Sequence, residues 1–128
     1  MDGPRILVID DEPRLLQVIA SFLSLEGFDV VSAQSAEAGL RIVDDRAPDI
    51  VVLDINMPGL DGLEVCRRVK ARVPALPVVI FSGRDSAGDR ERARLAGASD
   101  FVEKPFNLEE LAALIRTHLA AGRESTTA

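Results

Sequence analysis

The chain has 128 residues, enough for one hydrophobic core and too few for a second domain of ordinary size. Its apolar fraction of 47% is that of a globular protein, and a net charge of -6 argues against a surface built to displace counterions from nucleic acid. The single cysteine, Cys66, excludes an internal disulfide, and no apolar run approaches the ~20 residues that span a bilayer. No basic-then-apolar leader opens the sequence, so a cytoplasmic protein without membrane contact is expected.

In chain order, Ile6-Leu7-Val8-Ile9 closes a first strand over 5–9 and runs directly into Asp10 and Asp11. A helix over 13–26 follows, with Pro13 in its first turn, Leu15, Ile19, Phe22 and Leu23 on one stripe, and Gly27 at its stop. The polar segment 28–32 fits an edge strand, and 35–46 a helix capped by Ser35, with Ala36, Leu40 and Val43 inward. The continuous apolar run 50–53 predicts a strand covered on both faces, ending at Asp54 and a Pro58-Gly59 turn. A helix over 61–72 buries Leu63, Cys66 and Val69, and a second covered strand over 78–81 leads to Ser82. The segment 86–96 is charged and poor in large apolar groups, a loosely held helix. A short edge strand over 100–103 and a helix over 107–120, capped by Asn107 and carrying Leu108, Leu111, Ile115 and Leu119, complete the domain at about residue 121. Residues 122–128 are polar and fit a frayed tail or the start of a linker.

Alternating strands and helices imply parallel strands joined by right-handed crossovers. With the apolar strands central, the order is 2-1-3-4-5, a flavodoxin-like doubly wound sheet with five helices. Such sheets form their site at the carboxyl ends of the strands, beside the point where strand order reverses. Strands one and three flank that point, and they end in Asp10, Asp11 and Asp54.

Three carboxylates held close together repel one another unless a cation joins them, and Mg²⁺, or Mn²⁺ in its place, suits such an oxygen-rich set. With the metal bound, Asp54 can act as a nucleophile toward a phosphoryl group, while Lys104 offers a compact positive charge and Ser82 a hydroxyl to its oxygens. Each residue also has an ordinary reading: Asp10 or Asp11 as a helix cap, Asp54 as a turn acid, Ser82 as loop chemistry, Lys104 as a solvated lysine. Those readings would need four coincidences at one edge of one sheet. His118, the only histidine, has no evident partner in the sequence and fits a structural or exposed role, and Phe101 fits edge-strand core.

The segments Ile9-Asp10-Asp11-Glu12-Pro13, Val52-Leu53-Asp54-Ile55-Asn56-Met57-Pro58-Gly59-Leu60-Asp61-Gly62, Phe81-Ser82-Gly83, Ala96-Gly97-Ala98-Ser99-Asp100-Phe101 and Lys104-Pro105-Phe106, in this order and spacing, are specific as a set. The chain resembles the receiver domains of bacterial two-component response regulators, over residues ~4 to ~120. The resemblance implies that a sensor histidine kinase or a histidine phosphotransfer protein donates a phosphoryl group to Asp54. It also implies that Asp11, Asp54 and the backbone carbonyl of Asn56 ligate Mg²⁺, with Asp10 acting largely through water. Lys104 would contact the phosphoryl group, the bond before Pro105 would be cis, Ser82 would close on a phosphoryl oxygen and Phe101 would swing inward. Asn56 and Arg84 would set the lifetime of the acyl phosphate. The face of helix four, strand five and helix five would then meet a downstream effector or an attached output domain.

By that reading the protein is a phosphoacceptor switch and not a turnover enzyme, either alone or as the receiver of a longer regulator. It would be a monomer or a phosphorylation-dependent dimer. The acidic Glu109-Glu110 pair in helix five weakens the charged dimer interface common in receivers joined to winged-helix domains. A small aspartyl-phosphate phosphatase is the competing enzyme reading; Asn56 stands where such enzymes carry their second aspartate.

Overall fold

The computed structural model describes residues 3–55, 61–82, 87–103 and 107–127, with backbone alone at 87 and 122–127. Its elements alternate: β1 (Arg5–Ile9), α1 (Pro13–Leu25), β2 (Asp29–Ala33), α2 (Ala36–Asp45), β3 (Ile50–Asp54), α3 (Gly62–Arg72), β4 (Val78–Ser82), α4 (Ala87–Leu95), β5 (Asp100–Glu103) and α5 (Leu108–Thr127). The five strands form one sheet in the order β2-β1-β3-β4-β5, and each neighbouring pair is parallel. Expected and observed topology agree.

The hydrophobic text of the central strands explains the layering. Every residue of β3 and β4 is buried, and successive side chains pass to opposite faces, as the two-residue strand period requires. Leu7, Ile9, Val51, Leu53, Val78 and Ile80 pack with α2, α3 and α4, whereas Ile6, Val8, Ile50, Val52, Val79 and Phe81 pack with α1 and α5. Each fully buried aliphatic side chain contributes about 1.5–3 kcal/mol, so these two half-cores dominate the stability of the fold.

Helix boundaries follow local chemistry. Ser35 accepts from the Ala38 N–H at the start of α2, and Asp61 accepts from the Leu63 N–H at the start of α3. Gly27 takes φ +97°, the left-handed stop expected after α1. In α1 the centre of the buried stripe is Leu16 with Ile19 and Leu23; Leu15 and Phe22, placed in the stripe by periodicity, flank it half-buried. A stripe one residue wider on each side has the same period, so spacing alone does not fix its centre. α5 runs on to Thr127, beyond the expected end at 120, because no proline interrupts it and a lone Gly122 is tolerated in a helix.

Candidate phosphoacceptor site

Strand register builds the site. Ile9 of β1 pairs with Leu53 of β3, so the next residue of each strand, Asp10 and Asp54, stand side by side across one strand spacing, about 4.8 Å. Asp54 pairs with Phe81 of β4, and the Ile55 N–H donates to the Phe81 carbonyl at 3.0 Å, which sets Ser82 one step beyond Asp54 on the neighbouring strand. Asp10 and Ser82 are fully buried and Asp54 is 4% exposed, whereas Asp11 faces solvent. One carboxylate oxygen from each of Asp10, Asp11 and Asp54 lies within 4.8 Å of the others.

Asp10 has a structural duty as well. Its Oδ1 accepts from the Glu12 N–H at 3.0 Å, and its own N–H donates to the Ala33 carbonyl at 3.1 Å, extending the β1–β2 ladder. The Glu12 side chain makes no cap bond to α1, so Asp10 organises the turn into that helix. Asp10 thus shapes the entry to α1 through an Asx-type turn and is not its capping residue, and this duty coexists with membership of the cluster.

The other side of Asp54 is held by α3. The Gly62 N–H donates to the Ile55 carbonyl at 3.3 Å, and a Cβ on Gly62 would lie 2.6 Å from Ile55 Cα and 2.7 Å from the Asp54 carbonyl oxygen. Only glycine lets the helix start so near the strand end. The sequence carries Gly62 at the end of its acceptor-strand motif but not the reason for it, which is the close return of α3 onto the end of the strand before it.

Phe101 is 8% exposed and packs beneath α4 with Ala93 and Ala96, on the same half-core as Ile80, its register partner. Its ring is inward, the edge-strand core position that the strand pattern suggested. Arg90 of α4 sits over that ring, 4.8 Å from the centroid, and reaches Glu103 at 3.6 Å. Thus α4, expected to be loosely held, has a charged tie to β5 in place of a large apolar contact. His118 takes the structural one of the two roles expected: its Nε2 lies 3.1 Å from Asp100 Oδ2, joining α5 to β5. The two residues are eighteen apart in sequence, and the return of α5 along the sheet brings them together. Cys66 is buried, its Sγ donating to the Ala96 carbonyl at 3.5 Å, and burial pushes the thiol up to about 11, so it is the core residue expected.

Asn56, Arg84, Lys104 and Pro105, all assigned to the site from the sequence, lie outside the described residues.

The arrangement has known counterparts. A family model for the response regulator receiver domain matches residues 6–116. The chain belongs to the response-regulator receiver family. It is 42% identical to the heme response regulator HssR of Staphylococcus aureus (strain Newman) over 115 residues, covering 90% of this chain and 51% of that protein. It is 43% identical to the response regulator MprA of Mycobacterium sp. (strain KMS), again over 115 residues, covering 90% of this chain and 50% of the relative. The chain thus spans about half the length of the curated relatives it matches. Among solved structures, a CheY-like receiver from Methanospirillum hungatei JF-1 superposes with a TM-score of 0.92 at 25% identity, covering 95% of this chain and 98% of that one. This protein is therefore the receiver of a two-component system, and receiver domains are phosphoacceptor switches that bind Mg²⁺ through acidic residues.

The residues present fit that metal. A hard divalent cation takes carboxylate oxygens, and three carboxylates whose oxygens all fall within 4.8 Å form a set of suitable chemistry. No helix among the described residues is long and apolar enough to cross a membrane.

Proposed function

We propose that this receiver accepts a phosphoryl group on Asp54 from the phosphohistidine of a sensor kinase or a histidine phosphotransfer protein. The observation that supports this most is the pairing of a buried Asp54 with Asp10 and Asp11 within one cluster at the carboxyl edge of the sheet. A metal bound there neutralises phosphoryl oxygens and so favours in-line transfer. Asp11 and Asp54, with the Asn56 carbonyl, would hold it directly, and Asp10, which also fixes the turn into α1, would act on it through water.

In the transfer, an Asp54 carboxylate oxygen bonds to phosphorus as the phosphorus–nitrogen bond of the donor imidazole breaks. The imidazole nitrogen keeps the electron pair and later takes a proton from solvent. Strand β3 and Gly62 hold the Asp54 backbone still on both sides, so attack geometry is set before the donor arrives. The Ser82 hydroxyl and the Lys104 ammonium then bond the phosphoryl oxygens, and Asn56 and Arg84 tune hydrolysis by controlling water beside the acyl phosphate. Closure of Ser82 on the phosphoryl group leaves space that Phe101 turns inward to fill, which transmits the charge change to α4, β5 and α5. That face meets an effector protein or an attached output domain.

The test is intact-mass measurement after incubation with Mg²⁺ and acetyl phosphate. Wild type gains one phosphoryl mass that EDTA prevents, and Asp54→Asn gains none. A gain that persists in Asp54→Asn removes Asp54 from its role.

A further inference from the structure

Phe101 sits inward beneath α4, yet α4 gives it little to pack on. Ala93 and Ala96 are the α4-side members of its half-core cluster, and both are small. The helix has a net polar sequence, Ala87-Gly88-Asp89-Arg90-Glu91-Arg92-Ala93-Arg94-Leu95, and its one large aliphatic side chain, Leu95, is 70% exposed. Dispersion against small side chains is a weak reason for an aromatic ring to stay buried at a sheet edge.

Arg90 supplies another reason. Its guanidinium lies over the Phe101 ring, 4.8 Å from the centroid, and its Nη2 is 3.6 Å from Glu103 Oε1. Phe101 and Glu103 are separated by one residue on β5. A single side chain therefore covers the ring and is anchored on the strand that carries it. Among the described residues, the other ion pairs of α4, Glu91–Arg94 and Asp89–Arg92, stay within the helix.

We propose that Arg90 is a positioning residue: a latch from α4 to β5 that holds Phe101 in its inward position and so sets the balance of the switch. The proposal rests on the reading of Phe101 as the moving ring, and deepens it. An exposed cation–ring contact with a carboxylate anchor is a small effect, enough to shift a two-state ratio without locking it. That scale suits a regulator, because a contact much stronger than this would hold the ring whatever happened at Asp54.

The experiment places 4-fluorophenylalanine at position 101 in the full chain and follows the fluorine resonance, with a soluble paramagnetic agent reporting ring exposure. Arg90→Gln, which alters a side chain that is 56% exposed, keeps the fold and moves the inward-to-outward ratio outward by about two- to five-fold. Arg90→Lys restores part of the shift, and Glu103→Gln produces a smaller shift in the same direction. A fluorine spectrum and ring exposure in Arg90→Gln identical to the parent would overturn the latch. Addition of Mg²⁺ and acetyl phosphate to the parent separates the two ideas. If Asp54 is phosphorylated by mass while the resonance stays still, Phe101 is not the switch; the latch itself is judged only on the unphosphorylated variants.

Discussion

Two glycines test whether the backbone around Asp54 is held as tightly as the structure indicates. At Gly62 a Cβ would meet three backbone atoms, Ile55 Cα at 2.6 Å, the Asp54 carbonyl oxygen at 2.7 Å and the Ile55 carbonyl oxygen at 2.9 Å. None of these can rotate aside, so Gly62→Ala must push the first turn of α3 away from the end of β3. Overpacking of this kind costs about 1–3 kcal/mol. Alanine recovers at most ~1 kcal/mol through helix propensity, and less at a first-turn position. The net loss is about 1–2 kcal/mol. At Gly39 of α2 the crowding atoms are Ile9 Cδ1 at 2.4 Å and Cγ1 at 2.9 Å, side-chain atoms of a fully buried core residue that must repack but lies away from the Asp54 backbone. Gly39→Ala carries a similar overpacking cost of about 1–3 kcal/mol, offset by up to ~1 kcal/mol of helix propensity, and its effect is on stability alone. Urea unfolding followed by far-ultraviolet circular dichroism measures both. In parallel, the Mg²⁺-dependent rate of phosphorylation by acetyl phosphate is expected to fall severalfold in Gly62→Ala and to hold in Gly39→Ala. If the two variants match in rate, the packing of α3 against the acceptor strand does not position Asp54.

Further outcomes follow from the same geometry. Asp10→Asn keeps an oxygen for the Glu12 N–H but removes one charge of the cluster, so calorimetric Mg²⁺ affinity should drop at least ~10-fold, while stability in EDTA rises by up to ~1 kcal/mol. Unchanged affinity would exclude Asp10 from the metal site. Cys66 is raised from 9.0 to about 11 by burial, so its neutral form belongs to the folded state: its contribution is intact below pH ~9 and is lost as pH climbs toward ~11. The parent should therefore lose about 2–3 kcal/mol more than Cys66→Ala across that window, and parallel curves for the two proteins would contradict the burial argument. Exchanges at Asn56 and Arg84 should alter the decay of the acyl phosphate more than its formation, as read by following both by mass; equal effects would count against a role in lifetime.

Much of this was legible in the sequence because the signals are local. Runs such as Ile50–Leu53 and Val78–Phe81 announce covered strands, and an acid at the end of one says where the chain leaves the sheet. Once the strand order was inferred, Asp10 and Asp54 had to be neighbours, and the observed Ile9–Leu53 register makes them so. What stayed hidden depends on tertiary approach. Gly62 is decided by backbone atoms of another element, Arg90 by a ring eleven residues away, and His118 by an aspartate on the preceding strand. None of these has a periodicity or a spacing of its own. The centre of the α1 stripe slipped from Leu15 to Leu16 for a related reason: both satisfy the helical period, and only the angle at which α1 lies on β1 and β3 chooses between them.

The central claim is that one side chain, Asp54, receives phosphorus at the edge where three carboxylates meet. Borohydride reduces an aspartyl phosphate to homoserine, so treating the phosphorylated protein and sequencing its peptides by mass spectrometry reads the position of the bond directly. The account predicts homoserine at residue 54 and a yield that disappears when Mg²⁺ is withheld. Homoserine at another aspartate, or the same yield with and without the metal, would contradict it.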